Sequence, residues 1–110
     1  MITYEVQGKI AIANGSTKED VNLTIPSTID GFLVSKIEQN SFTEMSKLKK
    51  VIIPKSVKVI GAYSFANCPM LKEVILEEGV EVIKTGHLLA VILKRLFYLS
   101  LLNQLVKMHF

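Results

Sequence analysis

Few side chains in this chain of 110 residues are suited to chemistry: one cysteine, Cys68, and two histidines, His87 and His109. A single cysteine forms no internal disulfide and no multi-cysteine metal site. Nucleophilic catalysis needs a base beside the thiol, and no motif places one beside Cys68. We therefore expect no catalytic residues, metal, cofactor or small-molecule substrate, and we expect that the protein is not an enzyme. Cys68 is either a redox-active thiol or a small core residue, and its place in a repeat favours the core.

The charge pattern bears on nucleic-acid binding. The net charge is +3, which is the sign that such binding requires. The lysines, however, are scattered among glutamates, and Arg95 is the only arginine. This distribution predicts a solvated surface and no nucleic-acid partner.

A repeat with a period of 23 residues is the clearest pattern in the chain, because Leu48–Ile60 recurs as Leu71–Ile83. Fixed-period similarity indicates stacked units that mainly contact their neighbours. A half-copy at 23–29 precedes them. About five extra residues around Asp30-Gly31-Phe32 follow the half-copy, and we place them in a loop.

Each unit is expected to contain a short strand and a return segment. In Lys50–Ile53 alternate residues point inward, and Pro54 ends the strand because it donates no backbone hydrogen bond. Val57–Ile60 then crosses the core again, and a helical or 3₁₀ turn follows with Phe65 as a core plug. Adjacent strands must pair in parallel, since one unit cannot bury its apolar face alone.

The chain divides into three predicted regions. Residues 1–20 form an N-terminal β cap, residues 21–85 form a solenoid of about two and a half repeats, and residues 86–110 form a hydrophobic, helical or disordered tail without the repeat. The cap is expected to be a hairpin or two short strands, with turns at Gln7-Gly8 and Asn14-Gly15. A polar-faced hairpin suits this position because a solenoid needs its first open coil covered.

The repeat motif consists of Leu48, Lys49, Val51, Ile53, Pro54, Val57, Ile60, Gly61, Phe65 and Cys68. Over about residues 20–83 this motif resembles the BspA-type leucine-rich repeat. The resemblance implies a parallel β-solenoid with 3₁₀ or irregular return segments. It also implies a surface-exposed array that binds proteins or host matrix and has no catalytic activity. It further suggests a cell-surface or secreted location, although no signal peptide is visible at the N-terminus.

The outward side of the strands is the expected protein-binding face, because an exposed repeat surface is the default binding site of such proteins. Ile52 and Ile75 side by side are either an adhesive stripe or β-formers at solvent positions. The predicted face consists of Thr24, Lys50, Ile52, Glu73 and Ile75.

The chain departs from the repeat at three positions: Glu77 stands where the repeat has proline, Lys84 where it has glycine, and Leu88 where it has phenylalanine. In a shifted reading frame, each codon combines the third base of one tail codon with the first two bases of the next. The tail residues permit an amino-acid sequence in this frame that continues the repeat. It begins Ala-Phe-Ala-Gly-Cys, like Ser64–Cys68. We interpret the tail as a repeat read in a shifted frame after a change near codons 83–86. As written, it is expected to form a helix on the last coil, since leucine favours helix.

These patterns favour a non-enzymatic protein-interaction or adhesion-type module, the truncated start of a longer array with an unidentified protein partner. One alternative is a truncated remnant without function, because about three repeats are needed for independent stability. Another is a membrane-associated peptide that binds through its apolar tail.

Overall fold

The computed structural model describes residues 2–86, 88, 91–92 and 101–104, which contain nine short strands and helical residues in the tail. The strands are β1 (Thr3–Gln7), β2 (Ile10–Gly15), β3 (Asn22–Thr24), β4 (Thr28–Ile29), β5 (Phe32–Ile37), β6 (Lys50–Ile53), β7 (Val59–Ile60), β8 (Glu73–Leu76) and β9 (Val82–Ile83).

Two sheets form the walls of a β-solenoid. The front sheet is parallel, in the order β3-β6-β8, and the back sheet has the order β1-β2-β5-β7-β9, with β4 paired to β5. Val51 pairs with Val74 in front and Val59 with Val82 behind, so both sheets keep the 23-residue register. The predicted parallel solenoid is confirmed, and the two-residue strands β7 and β9, which pair in parallel within the mixed back sheet, form part of its return segments.

The five extra residues form a tight hairpin, not an open loop. β4 pairs antiparallel with β5, and Asp30 and Gly31 form its turn with positive φ of 50° and 84°. Asp-Gly adopts such two-residue hairpin turns readily because both positions tolerate positive φ. The hydroxyl of Tyr4 donates a hydrogen bond to Asp30, and this bond is the main cause of the raised pKa of Tyr4.

The core lies between the two sheets. The inward residues of the second coil are at most 1 % exposed: Val51, Ile53, Val57 and Ile60. Phe42 and Phe65, one repeat apart, stack with ring centroids 5.1 Å apart and 15° between their planes. The repeat therefore places equivalent phenylalanines of two neighbouring coils in direct contact, and this pair is called the aromatic stack.

The N-terminal hairpin covers the first coil, because β2 pairs in parallel with β5 while β1 lies outside it. The turn at Gly8 is confirmed, with φ of 63°. The turn expected at Asn14-Gly15 is wrong, since both residues lie in β2 and Gly15 pairs with Thr3. The antiparallel pairing with β1 thus extends β2 to Gly15, where a turn was expected.

In the tail, the described residues 88, 91–92 and 101–104 are helical, which agrees with the predicted helix. Leu88 is 3 % exposed and belongs to the core cluster, and Ile92 packs against it. Within the described part of the chain, no helix is long and apolar enough to cross a membrane.

Candidate protein-binding face

The front sheet brings all five predicted face residues together. Its pairing aligns side chains in rows across the strands, since parallel neighbours in register present their side chains on the same face. One outward row runs Asn22–Lys50–Glu73 and the other runs Thr24–Ile52–Ile75. Between them, Leu23 and Val51 point into the core and are at most 4 % exposed.

The two outward rows differ in chemistry. In the first row the Nζ of Lys50 lies 4.0 Å from Oε1 of Glu73, and such exposed ion pairs contribute at most about 1 kcal/mol. In the second row Ile75 is 38 % exposed and Ile52 is half-buried beside it. The face therefore presents a short aliphatic stripe next to a row of polar and charged side chains.

Asn22 belongs to this face but was missed by the sequence analysis. It is exposed and pairs with Lys50 at an offset of 28 residues, which is the period of 23 plus the five inserted residues. Aligning the half-copy with this insertion taken into account would have identified it.

The back sheet has an outward row of similar character. Lys36, Val59 and Val82 pair in register, and Val82 is 46 % exposed. Its strands β7 and β9 have two residues each, whereas β6 and β8 in front have four. The front sheet thus offers two outward rows where these strands of the back sheet offer one.

Cys68 lies in the core, at the position that Met45 occupies one repeat earlier, and it is 1 % exposed. Its thiol donates a hydrogen bond to the carbonyl of Phe42, with an Sγ–O distance of 3.2 Å. Burial raises the pKa of the thiol, which outweighs the opposite effects of a backbone hydrogen bond and of Lys18. A raised pKa opposes the thiolate form that redox and nucleophilic chemistry requires.

We expect Cys68 to resist alkylation in the folded protein at pH 8 and to react quickly in denaturant, because its thiol is both buried and protonated. Mass spectrometry after iodoacetamide treatment with and without urea measures both states. A free cysteine introduced at exposed Met70 provides the control, since Met70→Cys in a Cys68→Ala background should react at once. Equal reactivity of Cys68 in both conditions would contradict the core assignment.

The structure offers no metal centre among residues 2–86, 88, 91–92 and 101–104, where no three His, Cys, Asp or Glu side chains come together. His87 and His109 lie outside these residues.

Comparison with known proteins relates this arrangement to a family. A family model described as "BspA type Leucine rich repeat region (6 copies)" matches residues 16–110. No curated protein matches the chain.

Two solved structures are similar to the chain. A leucine-rich repeat protein of T. pallidum has a TM-score of 0.68 and 27 % identity, covering 74 % of this chain and 39 % of its own. A leucine rich cell surface protein of Faecalibacterium prausnitzii has a TM-score of 0.62 and 25 % identity, covering 76 % of this chain and 24 % of its own. The chain therefore spans well under half the length of either structure.

Proposed function

Since this chain belongs to the BspA-type leucine-rich repeat family, we propose that it is a non-enzymatic protein-interaction module that binds its partner through the front sheet. One observation carries the proposal: the repeat register aligns the outward side chains of three strands into two adjacent rows on one face. Repeat proteins use such extended surfaces for binding. The five predicted residues Thr24, Lys50, Ile52, Glu73 and Ile75 form the proposed site.

The composition of this face suits a protein partner. Aliphatic Ile52 and Ile75 supply apolar area for the centre of an interface, and Lys50 and Glu73 supply polar contacts at its border. Protein interfaces commonly combine an apolar centre with a polar rim. One of the similar structures is a leucine rich cell surface protein, and matrix proteins are therefore suitable first probes.

The test measures binding of the purified chain to immobilised fibronectin, laminin and collagen. We expect at least one to bind, and we expect Ile52→Lys with Ile75→Lys to weaken that binding at least about tenfold. Loss of an interface hot spot costs about 2 kcal/mol or more, and a tenfold change in affinity corresponds to about 1.4 kcal/mol. Surface plasmon resonance gives both affinities.

The back sheet supplies a matched control. Val59→Lys with Val82→Lys introduces the same two charges at another pair of neighbouring strand residues, Val59 and Val82. This variant should bind like the original chain. Equal losses in both variants, or no binding to any probe by the folded chain, would contradict the proposal.

A further inference from the structure

The third coil of the solenoid is incompletely covered. Val74, Leu76, Val80 and Ile83 are only partly buried, whereas their equivalents 23 residues earlier are at most 1 % exposed. The difference arises because the second coil is covered on both sides by neighbouring coils. Among the described residues of the tail, Leu88 belongs to the core cluster and Ile92 packs against that cluster.

The backbone is also arranged for continuation. Each coil donates hydrogen bonds to the one before it: Glu77 N–H donates to the carbonyl of Ile53, and Lys84 N–H to the carbonyl of Ile60. In the part of the chain that the structure describes, β8 and β9 end their sheets. By the same register, the carbonyls of Leu76 and Ile83 face the place of a further coil.

The sequence stops following the repeat at the end of the third coil. Gly61 packs so closely on the preceding coil that an added Cβ would lie 2.5 Å from the backbone nitrogen of Gln39, and its equivalent is Lys84. Leu88 stands one repeat after Phe65, at the next place in the aromatic stack. Both departures, at residues 84 and 88, lie at or beyond the end of the third coil.

We propose that the third coil is a docking surface for a further coil of the same repeat, and that the segment that fits it is encoded across codons 86–110 in the shifted frame. Two bases of each shifted codon are constrained by the tail residue that follows, and the remaining base is the third base of the preceding codon. The tail residues permit Ala-Phe-Ala-Gly-Cys-Asn-Leu-Lys-Lys-Ile-Ile-Leu-Pro-Lys-Ser-Val-Lys-Ser-Ile-Gly-Lys-Asn-Ala-Phe, called here the reframed coil.

The reframed coil fits the core positions of the third coil's surface. Its first phenylalanine falls at position 88, which extends the stack of Phe42 and Phe65. Its Lys-Ile-Ile-Leu matches β6 and β8, with apolar residues at both inward positions. The following Pro-Lys-Ser-Val-Lys is identical to residues 54–58, and a glycine follows its next isoleucine, as Gly61 follows Ile60.

The single mismatch in length falls where the fold tolerates it. The reframed coil has one residue fewer between its cysteine and the next leucine than the Cys68–Leu71 segment has. The residues between them, Pro69 and Met70, lie in an exposed turn. Exposed turns accept deletions more readily than core segments do.

The first test reads the coding DNA across codons 83–110. The proposal requires the shifted frame to specify the reframed coil. A shifted frame with stop codons or without the repeat residues overturns it, whatever the behaviour of the protein.

The second test compares the chain with a reframed chain in which residues 87–110 are replaced by the reframed coil. We expect a melting temperature higher by at least about 5 °C, because each additional kcal/mol raises it by about 4–8 °C in a domain of this size. Hydrogen exchange should show new protection at the amides of β8 and β9. The control carries alanine in place of the phenylalanine at position 88 and should lose most of this gain.

A reframed chain that fails to fold, or that is no more stable than the original, overturns the fit of the coil. Neither test depends on the binding role of the front sheet, because they measure coding sequence and stability. Failure of one proposal therefore leaves the other intact.

Discussion

Replacing Phe65 with alanine is expected to destabilise the protein by about 3–5 kcal/mol, the usual range for a buried phenylalanine. Phe65 has no exposed surface and stacks on Phe42, which is equally buried. The solenoid cannot easily collapse onto the cavity, because the hydrogen-bonded sheets on both sides fix the spacing of the coils. Since domains of this size are stable by about 5–15 kcal/mol, the loss removes much of the total.

Urea unfolding followed by circular dichroism measures this loss. Met70→Ala is the control, because it removes a large side chain that is 44 % exposed and should change stability by less than about 0.5 kcal/mol. A double-mutant cycle with Phe42→Ala should show coupling of about 0.5–1.5 kcal/mol, as expected for contacting rings. A cost for Phe65→Ala similar to that of Met70→Ala would show that the aromatic stack does not hold the coils together.

The solenoid was predictable from the sequence because its period fixes its pairing. A residue and its equivalent 23 positions later occupy neighbouring strands, so that Val51 pairs with Val74 as the repeat requires. Alternation within β6 then decides which side chains enter the core. The same reasoning placed the five residues of the candidate face on one surface. Its role in binding remains a prediction, because the outward row of the back sheet has similar residues.

The N-terminal cap was only partly predictable because it does not follow the repeat. The sequence of β2 does not single out its inward residues: Ala11 and Ala13 enter the core cluster and are fully buried, and Ile12 between them is only 3 % exposed. A register shift between Ala11 and Ile12 in the pairing with β5 changes which residues face inward. Such a shift depends on the partner strand and leaves no sign in the sequence of β2.

The backbone conformation of the turns between strands could not be predicted for another reason. Asn40 and Tyr63, one repeat apart, both adopt the left-handed conformation, with φ of 56° and 54°. Asparagine tolerates this conformation and tyrosine does not favour it. Hydrogen bonds between coils support it, since Asn40 N–H donates to the carbonyl of Ala62 and Tyr63 N–H to that of Thr85. Stacking thus overrides local preference.

Replacing Gly61 with alanine is expected to destabilise the protein by about 1–3 kcal/mol, the usual cost of overpacking. The added methyl group would lie 2.5 Å from the nitrogen of Gln39 and 2.8 Å from the carbonyl carbon of Glu38. Both are backbone atoms of the preceding coil, so relief requires the coils to separate. Separation lengthens the hydrogen bond from Gly61 N–H to the carbonyl of Ile37, now 2.8 Å.

Gly15→Ala is the control that distinguishes the cost of a close backbone contact from any general effect of replacing glycine with alanine. A Cβ at Gly15 would approach Oγ1 of Thr3 at 3.0 Å, and this atom belongs to a side chain that can rotate away. Its cost should therefore be smaller and should fall further with Thr3→Ala, whereas no side-chain truncation relieves Gly61→Ala. Comparison of the variants by urea unfolding tests this ordering. If Gly61→Ala is neutral or stabilising, the coils have freedom along the axis, and the fixed spacing inferred for the phenylalanine stack is wrong as well.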